Sequence, residues 1–136
     1  MKRINEALSV RAVLAPQSVA ASTEKTSAYV DLSGVEEVAF LISAAALGAG
    51  KSLTVKLVTA SDAEGSNAEE IGTAKFTDGV GTEAQVAVVT YRPRALHGRY
   101  AAVKFQHDGS AAVVCGVTVA VDGLWLPAGH GWTLVV

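Results

Sequence analysis

Charge and cysteine are scarce in this chain, and each shortage closes off a class of function. Only 18% of the 136 residues are charged, and the net charge is −2. A wide basic surface of the kind that grips nucleic acid is absent, and no nucleic-acid partner is expected. The single cysteine, Cys115, cannot close an intrachain disulfide. It stands between Val113 and Val117 on an apolar face, where a buried small hydrophobe is expected. No run approaches the ~20 apolar residues of a membrane helix. The Lys2-Arg3 start resembles the opening of a signal peptide, but Glu6 and Arg11 interrupt the apolar core such a peptide needs, so export is not expected. Helical segments of 10 to 15 residues do not alternate with strands, which argues against a parallel α/β fold.

Chemical motifs are missing too. Gly48-Ala49-Gly50-Lys51-Ser52 ends like a phosphate loop, yet Ala45 stands where the first glycine belongs, and a strand pattern follows where a helix is needed. Asp62, Glu64 and Asn67 hint at a calcium loop, but Thr73 occupies the twelfth position, which must be a glutamate. His97, His107 and His130 lack metal-ligand spacing and flank turn residues, so they are expected as exposed loop histidines. Cys115 has no neighbouring base. The expectation is therefore a protein without catalytic residues, metal or cofactor.

What remains is hydrophobic: half the residues are apolar, with a mean hydropathy of +0.34. A chain of 13.9 kDa makes one domain that buries about two thirds of its unfolded surface. The apolar surplus fits either surface covered by another subunit or a small two-layer β-domain rich in Val and Ala. Period-2 alternation is clearest over Tyr29 to Asp62. Val38, Phe40, Ile42 and Ala44 alternate with Ala39, Leu41 and Ser43, and a strand covered on both faces is expected. Leu53, Val55 and Leu57 alternate with Thr54 and Lys56. The connecting residues 45–52 contain two glycines, so an antiparallel hairpin is expected between these strands. Asp31-Leu32-Ser33-Gly34 is a turn that leads the chain in.

Further strands are expected over 69–76, with Ile71 and Phe76 inward, over 83–91, over 100–106 and over 111–121. Val113, Cys115, Val117, Val119 and Val121 share one face of the last. Asp108-Gly109 predicts a type I′ hairpin joining the last two. Residues 1–14 carry both helical and strand periodicity, and Pro16 is expected to end whatever precedes it. The predicted fold is an all-β, single-domain β-sandwich, jelly-roll-like, with about seven or eight antiparallel strands. Residues 1–27 form an N-terminal arm and connection, and residues 28–136 form the sandwich with an apolar C-terminal tail.

The order Val30-Asp31-Leu32-Ser33-Gly34, hydrophobic strand, Gly48-Ala49-Gly50, Leu53-Thr54-Val55-Lys56-Leu57, Ser61-Asp62 resembles small virion proteins encoded beside the head genes of tailed bacteriophages. Such proteins are capsid cement or decoration proteins, and the similarity spans roughly residues 20 to 122. The resemblance implies a structural protein on the outer capsid surface, assembled in the host cytoplasm, that bridges neighbouring major capsid proteins. It implies self-association, with a homodimer favoured over a homotrimer. The competing expectation is a carbohydrate- or receptor-binding β-sandwich of a phage fibre or tail. Candidate contact residues are Arg92, Arg94 and Arg99, in the one basic-aromatic segment, and Trp125, Leu126 and Trp132 in the tail. Tryptophan is enriched where interfaces concentrate their energy.

Overall fold

Period-2 alternation becomes two facing antiparallel sheets. The computed structural model describes residues 4–123, 132 and 134–136. One helical turn, α1 (Ile4–Ala7), precedes β1 (Ser9–Val19), β2 (Lys25–Thr26), β3 (Val30–Asp31), β4 (Val35–Ala44), β5 (Ser52–Ala60), β6 (Glu69–Thr77), β7 (Gln85–Tyr91), β8 (Tyr100–His107) and β9 (Val113–Gly123). One sheet has the order β1-β9-β4-β7. The other has β2-β8-β5-β6, with β3 beside β2 on the same edge of β8.

The pairing is nested. β1 pairs with β9, β2 and β3 with β8, β4 with β7, and β5 with β6. The chain is thus one antiparallel ribbon whose tip is the loop of residues 61–68. It is rolled so that successive pairs fall in alternate sheets, then sealed by the β4·β9 and β5·β8 ladders. This is jelly-roll connectivity. The sandwich class and the jelly-roll order agree with the sequence.

Three local expectations fail. β4 and β5 do not form a hairpin, because they lie in opposite sheets. The Asp108-Gly109 turn likewise carries the chain from β8 in one sheet to β9 in the other. Gly109 is buried and not left-handed, and an added Cβ would lie 3.0 Å from His107 Nδ1. Nor does Pro16 end its element. β1 runs through it to Val19, with register breaks between Ala12 and Leu14 and between Leu14 and Gln17, and the proline packs against Gly116 of β9. Proline is tolerated there because β1 is an edge strand with an irregular ladder. Residues 9–19, read as part of an arm, are a sheet edge. Alternation reports which face of a strand is wet. It does not report which strand lies beside it.

The core is the layer between the sheets. Val38, Phe40, Ile42 and Ala44 of β4 are buried, as are Leu53, Val55 and Leu57 of β5, Ala101, Val103 and Phe105 of β8, and all five expected residues of β9. The outer face of β4 is only half-covered, so it is not enclosed on both sides. Each fully buried Val, Ile or Phe contributes roughly 1.5–3 kcal/mol in transfer free energy. Two residues are covered differently from the sequence reading. Phe76 shares the inward face of its register partner Leu53 but, on edge strand β6, is 41% exposed, and His107 is buried rather than in an exposed loop.

Phe40 has no exposed surface. Phe40→Ala should lower unfolding free energy by about 3–5 kcal/mol in urea titrations. Gly81 and Gly50 provide a second check. Both are left-handed, but a Cβ on Gly81 would lie 2.3 Å from the Ala49 amide nitrogen, while Gly50 faces open space. Gly50→Ala should cost about 1–2 kcal/mol from backbone strain alone, and Gly81→Ala distinctly more.

Candidate functional site

The two long sides of the sandwich differ. On the side where β1 faces β2 and β3, hydrogen bonds lace the sheets together. Ala28 N–H donates to the Val13 carbonyl at 2.9 Å, and Ser22 N–H to the His107 carbonyl at 2.8 Å. The His107 ring lies between the sheets. Its Nδ1 accepts from Gly109 N–H at 3.0 Å, so Nε2 carries the proton and donates to the Val19 carbonyl at 2.7 Å. This buried imidazole is a structural cross-tie.

The opposite side, between edge strands β6 and β7, is open. A cleft of about 530 Å³ is floored by Val55, Leu57, Ile71, Val89 and Tyr91 and rimmed by Arg92, Arg94 and His97. A second, of about 430 Å³, lies against Ile42, Leu47, Leu53 and Ala87, and Phe76 lines both. Asp78 stands at the second cleft and pins the loops that turn there. Its carboxylate accepts from the amides of Leu47 (3.0 Å), Val80 (3.1 Å) and Gly81 (2.8 Å), and its backbone pairs with Gly50 and Lys51. The Gly81 amide, followed by the others, holds the Asp78 carboxyl below the usual carboxylate range despite the opposing effect of burial. Asp108 accepts from Ser52 N–H at 2.6 Å. Within the Gly-rich connection, the amides of Leu47 and Ser52 thus bond carboxylates, and those of Gly50 and Lys51 bond the backbone carbonyls of Asp78 and Gly48.

The segment after β7 disperses the three arginines expected together. Arg92 reaches Glu37 of β4 at 3.4 Å. Arg99 makes a bidentate pair with Asp31 of β3, at 2.9 and 2.8 Å. These bonds, with the Ser33 amide, hold the Asp31 carboxyl far below the usual range and raise the Arg99 guanidinium. Both partners are well exposed, so water screens the pair and its weight in stability is small. Arg94 has no ion pair among the described residues. Its backbone amide donates to the Tyr91 hydroxyl at 3.3 Å. His97 sits near Glu69 at 3.7 Å, and its Nδ1 has no hydrogen-bond partner among the described residues. Leu96, at the tip, is 82% exposed. Thus Arg92 and Arg94 rim one cleft, and Arg99 belongs to a separate tie.

In the tail, Trp132, Leu134 and Val136 are almost fully exposed. Trp125, Leu126 and His130 lie outside the described residues. Among the described residues, no three His, Cys, Asp or Glu side chains converge as metal ligands. Asp62 instead caps its own turn, accepting from the amides of Glu64 and Ser66. Cys115 is buried in β9, and burial pushes its thiol up. The sequence reading missed Asp78 and His107. A Thr-Asp-Gly turn signal marked the first as local, and nothing in the neighbours of His107 revealed a partner 88 residues away.

No protein-family model matches the chain, and neither does any curated protein sequence. Solved structures share the fold. The PBSX exported protein XepA superposes with a TM-score of 0.60 at 9% identity, over all of this chain and 44% of that one. Latent PorU from Porphyromonas gingivalis gives 0.50 at 12% identity, over 87% of this chain and 13% of that one. The chain therefore spans less than half the length of either. At such identities the likeness establishes architecture alone. The class is an all-β sandwich module with one open, apolar side.

The Asp78 tie is testable. Asp78→Ala leaves three amides without their acceptor, two of them on the 78–81 turn and one on the 45–51 crossing, so its denaturation midpoint should fall clearly further than that of Asp62→Ala, which loosens one exposed turn. The native Asp78 carboxyl titrates below its unfolded value. Its stabilisation is complete above the ordinary carboxylate range and is lost as pH falls through the lower native value. The gap between wild type and Asp78→Ala should therefore close in acid unfolding curves.

Proposed function

We propose that this chain is a structural virion protein that decorates the outer surface of an assembled tailed-phage capsid and bridges neighbouring major capsid proteins. The observation that carries the reading is apolar surface offered at chain ends and loop tips: Trp132, Leu134 and Val136 in the tail, and Leu96 on the loop after β7. Isolated exposed hydrophobes are ordinary, but a tryptophan and two aliphatics within five residues are costly to leave in water. Trp125 and Leu126 of the same tail belong to the proposed contact. The sequence resemblance supports the phage assignment, and the likeness to the PBSX exported protein XepA supports a sandwich of this architecture.

The mechanism is linkage. A protein that binds the assembled shell and not its free subunits stabilises the shell by RT ln(1 + [L]/Kd) per site, about 2.7 kcal/mol at a hundredfold excess over Kd. Repetition over the shell multiplies that gain, and no catalysis is needed.

Purified protein should be added to tailed-phage capsids that lack it, and the particles imaged by electron microscopy. Regular density across capsomer joints and a higher disassembly temperature are expected. Leu96→Asp combined with Leu134→Asp should weaken occupancy at least tenfold, as loss of about 1.4 kcal/mol requires. Bare capsids together with binding on a glycan array would overturn the reading in favour of a carbohydrate-binding module.

A further inference from the structure

Sheet edges present unpaired N–H and C=O groups that template pairing with another strand, and folded proteins usually blunt them. Here most edges are blunted. β2 and β3 are two residues each. β1 is broken by two register shifts and Pro16. β6 carries Glu69, Glu70 and Lys75, with a register shift opposite Leu57 and Val58. β7 has none of these devices. Its seven residues, Gln85–Tyr91, contain no charge, proline or glycine and hold three valines. Its ladder to β4 runs without a break from Val38↔Tyr91 to Ala44↔Gln85, and among the described residues β4 is its one strand partner. Val86 and Val88 are 57% and 54% exposed on its outer face.

We infer that the free edge of β7 pairs antiparallel with β7 of a second copy, across a twofold axis, to join two four-stranded sheets into one of eight. The strand's own sequence argues for self as the occupant. A twofold register that uses all seven residues puts Val88 on the axis, opposite its own copy. Val86 then faces Thr90, Ala87 faces Val89, and Gln85 faces Tyr91. No like charges meet, and β-branched residues fill the outer-face pairs, the arrangement that stabilises cross-strand contacts. Just beyond the strand the same register places Glu83 opposite Pro93, between Arg92 and Arg94 of the other copy. Twofold symmetry repeats this at both ends, so opposite charges flank an uncharged centre. Arg94, with no ion pair among the described residues of its own chain, gains a carboxylate. The inference stands apart from capsid binding: a dimer that decorates nothing leaves it intact, and a monomer that decorates overturns it.

Light scattering and sedimentation of the purified chain at ~100 μM should give twice the 13.9 kDa chain mass. Val88→Lys places two ammonium groups on the axis and should raise the dimer dissociation constant at least tenfold, with an unchanged circular dichroism spectrum because the side chain is exposed. Register is read by cysteine crosslinking in a Cys115→Ala background. Val88→Cys should oxidise to a covalent dimer. Val86→Cys should not, because residues 86 of the two copies are offset by four positions, roughly 13 Å. A monomer mass at ~100 μM, or crosslinking through position 86 rather than 88, would refute the pairing.

Discussion

The nesting of strand pairs is the constraint on which the rest of this structure depends. Each strand of the ribbon finds its ladder partner on the far side of the loop of residues 61–68, so most pairings are remote in sequence. Most connections must then cross the apolar layer from one sheet to the other. A crossing strips backbone amides of ladder partners, and buried amides must be satisfied. Asp78 does this for the crossing after β4, Asp108 binds the start of β5, and His107 ties β8 to the end of β1. These polar residues make the topology possible.

The same nesting yields the molecule's asymmetry. The chain's first pairs close one side of the sandwich, where short strands and lateral hydrogen bonds join the sheets. Among the described residues, the side between β6 and β7 has no such lacing. There the apolar layer reaches water through two clefts, and a regular uncharged strand ends its sheet.

How much of this was legible in the sequence depends on the range of each signal. The buried face of β9, from Val113 to Val121, could be read directly, because alternate side chains of a strand point the same way regardless of neighbours. The same holds for the inward faces of β4 and β5, the Asp31-to-Gly34 turn and buried Cys115. Phe76 was misplaced because β6 is an edge strand, where an inward residue lacks a second neighbour to cover it. The arginine cluster dissolved because Glu37 and Asp31, more than 50 residues away, claim Arg92 and Arg99.

By itself the sequence determined an all-β sandwich, the inward faces of β4, β5, β8 and β9, and the want of any chemical motif. These follow from backbone geometry within a few residues. Only the tertiary structure decided which strands are neighbours, which side stays open, and that β7 is a bare edge while β1 and β6 are guarded. Those outcomes rest on hydrogen bonds and packing between residues tens of positions apart, and local periodicity carries no record of them.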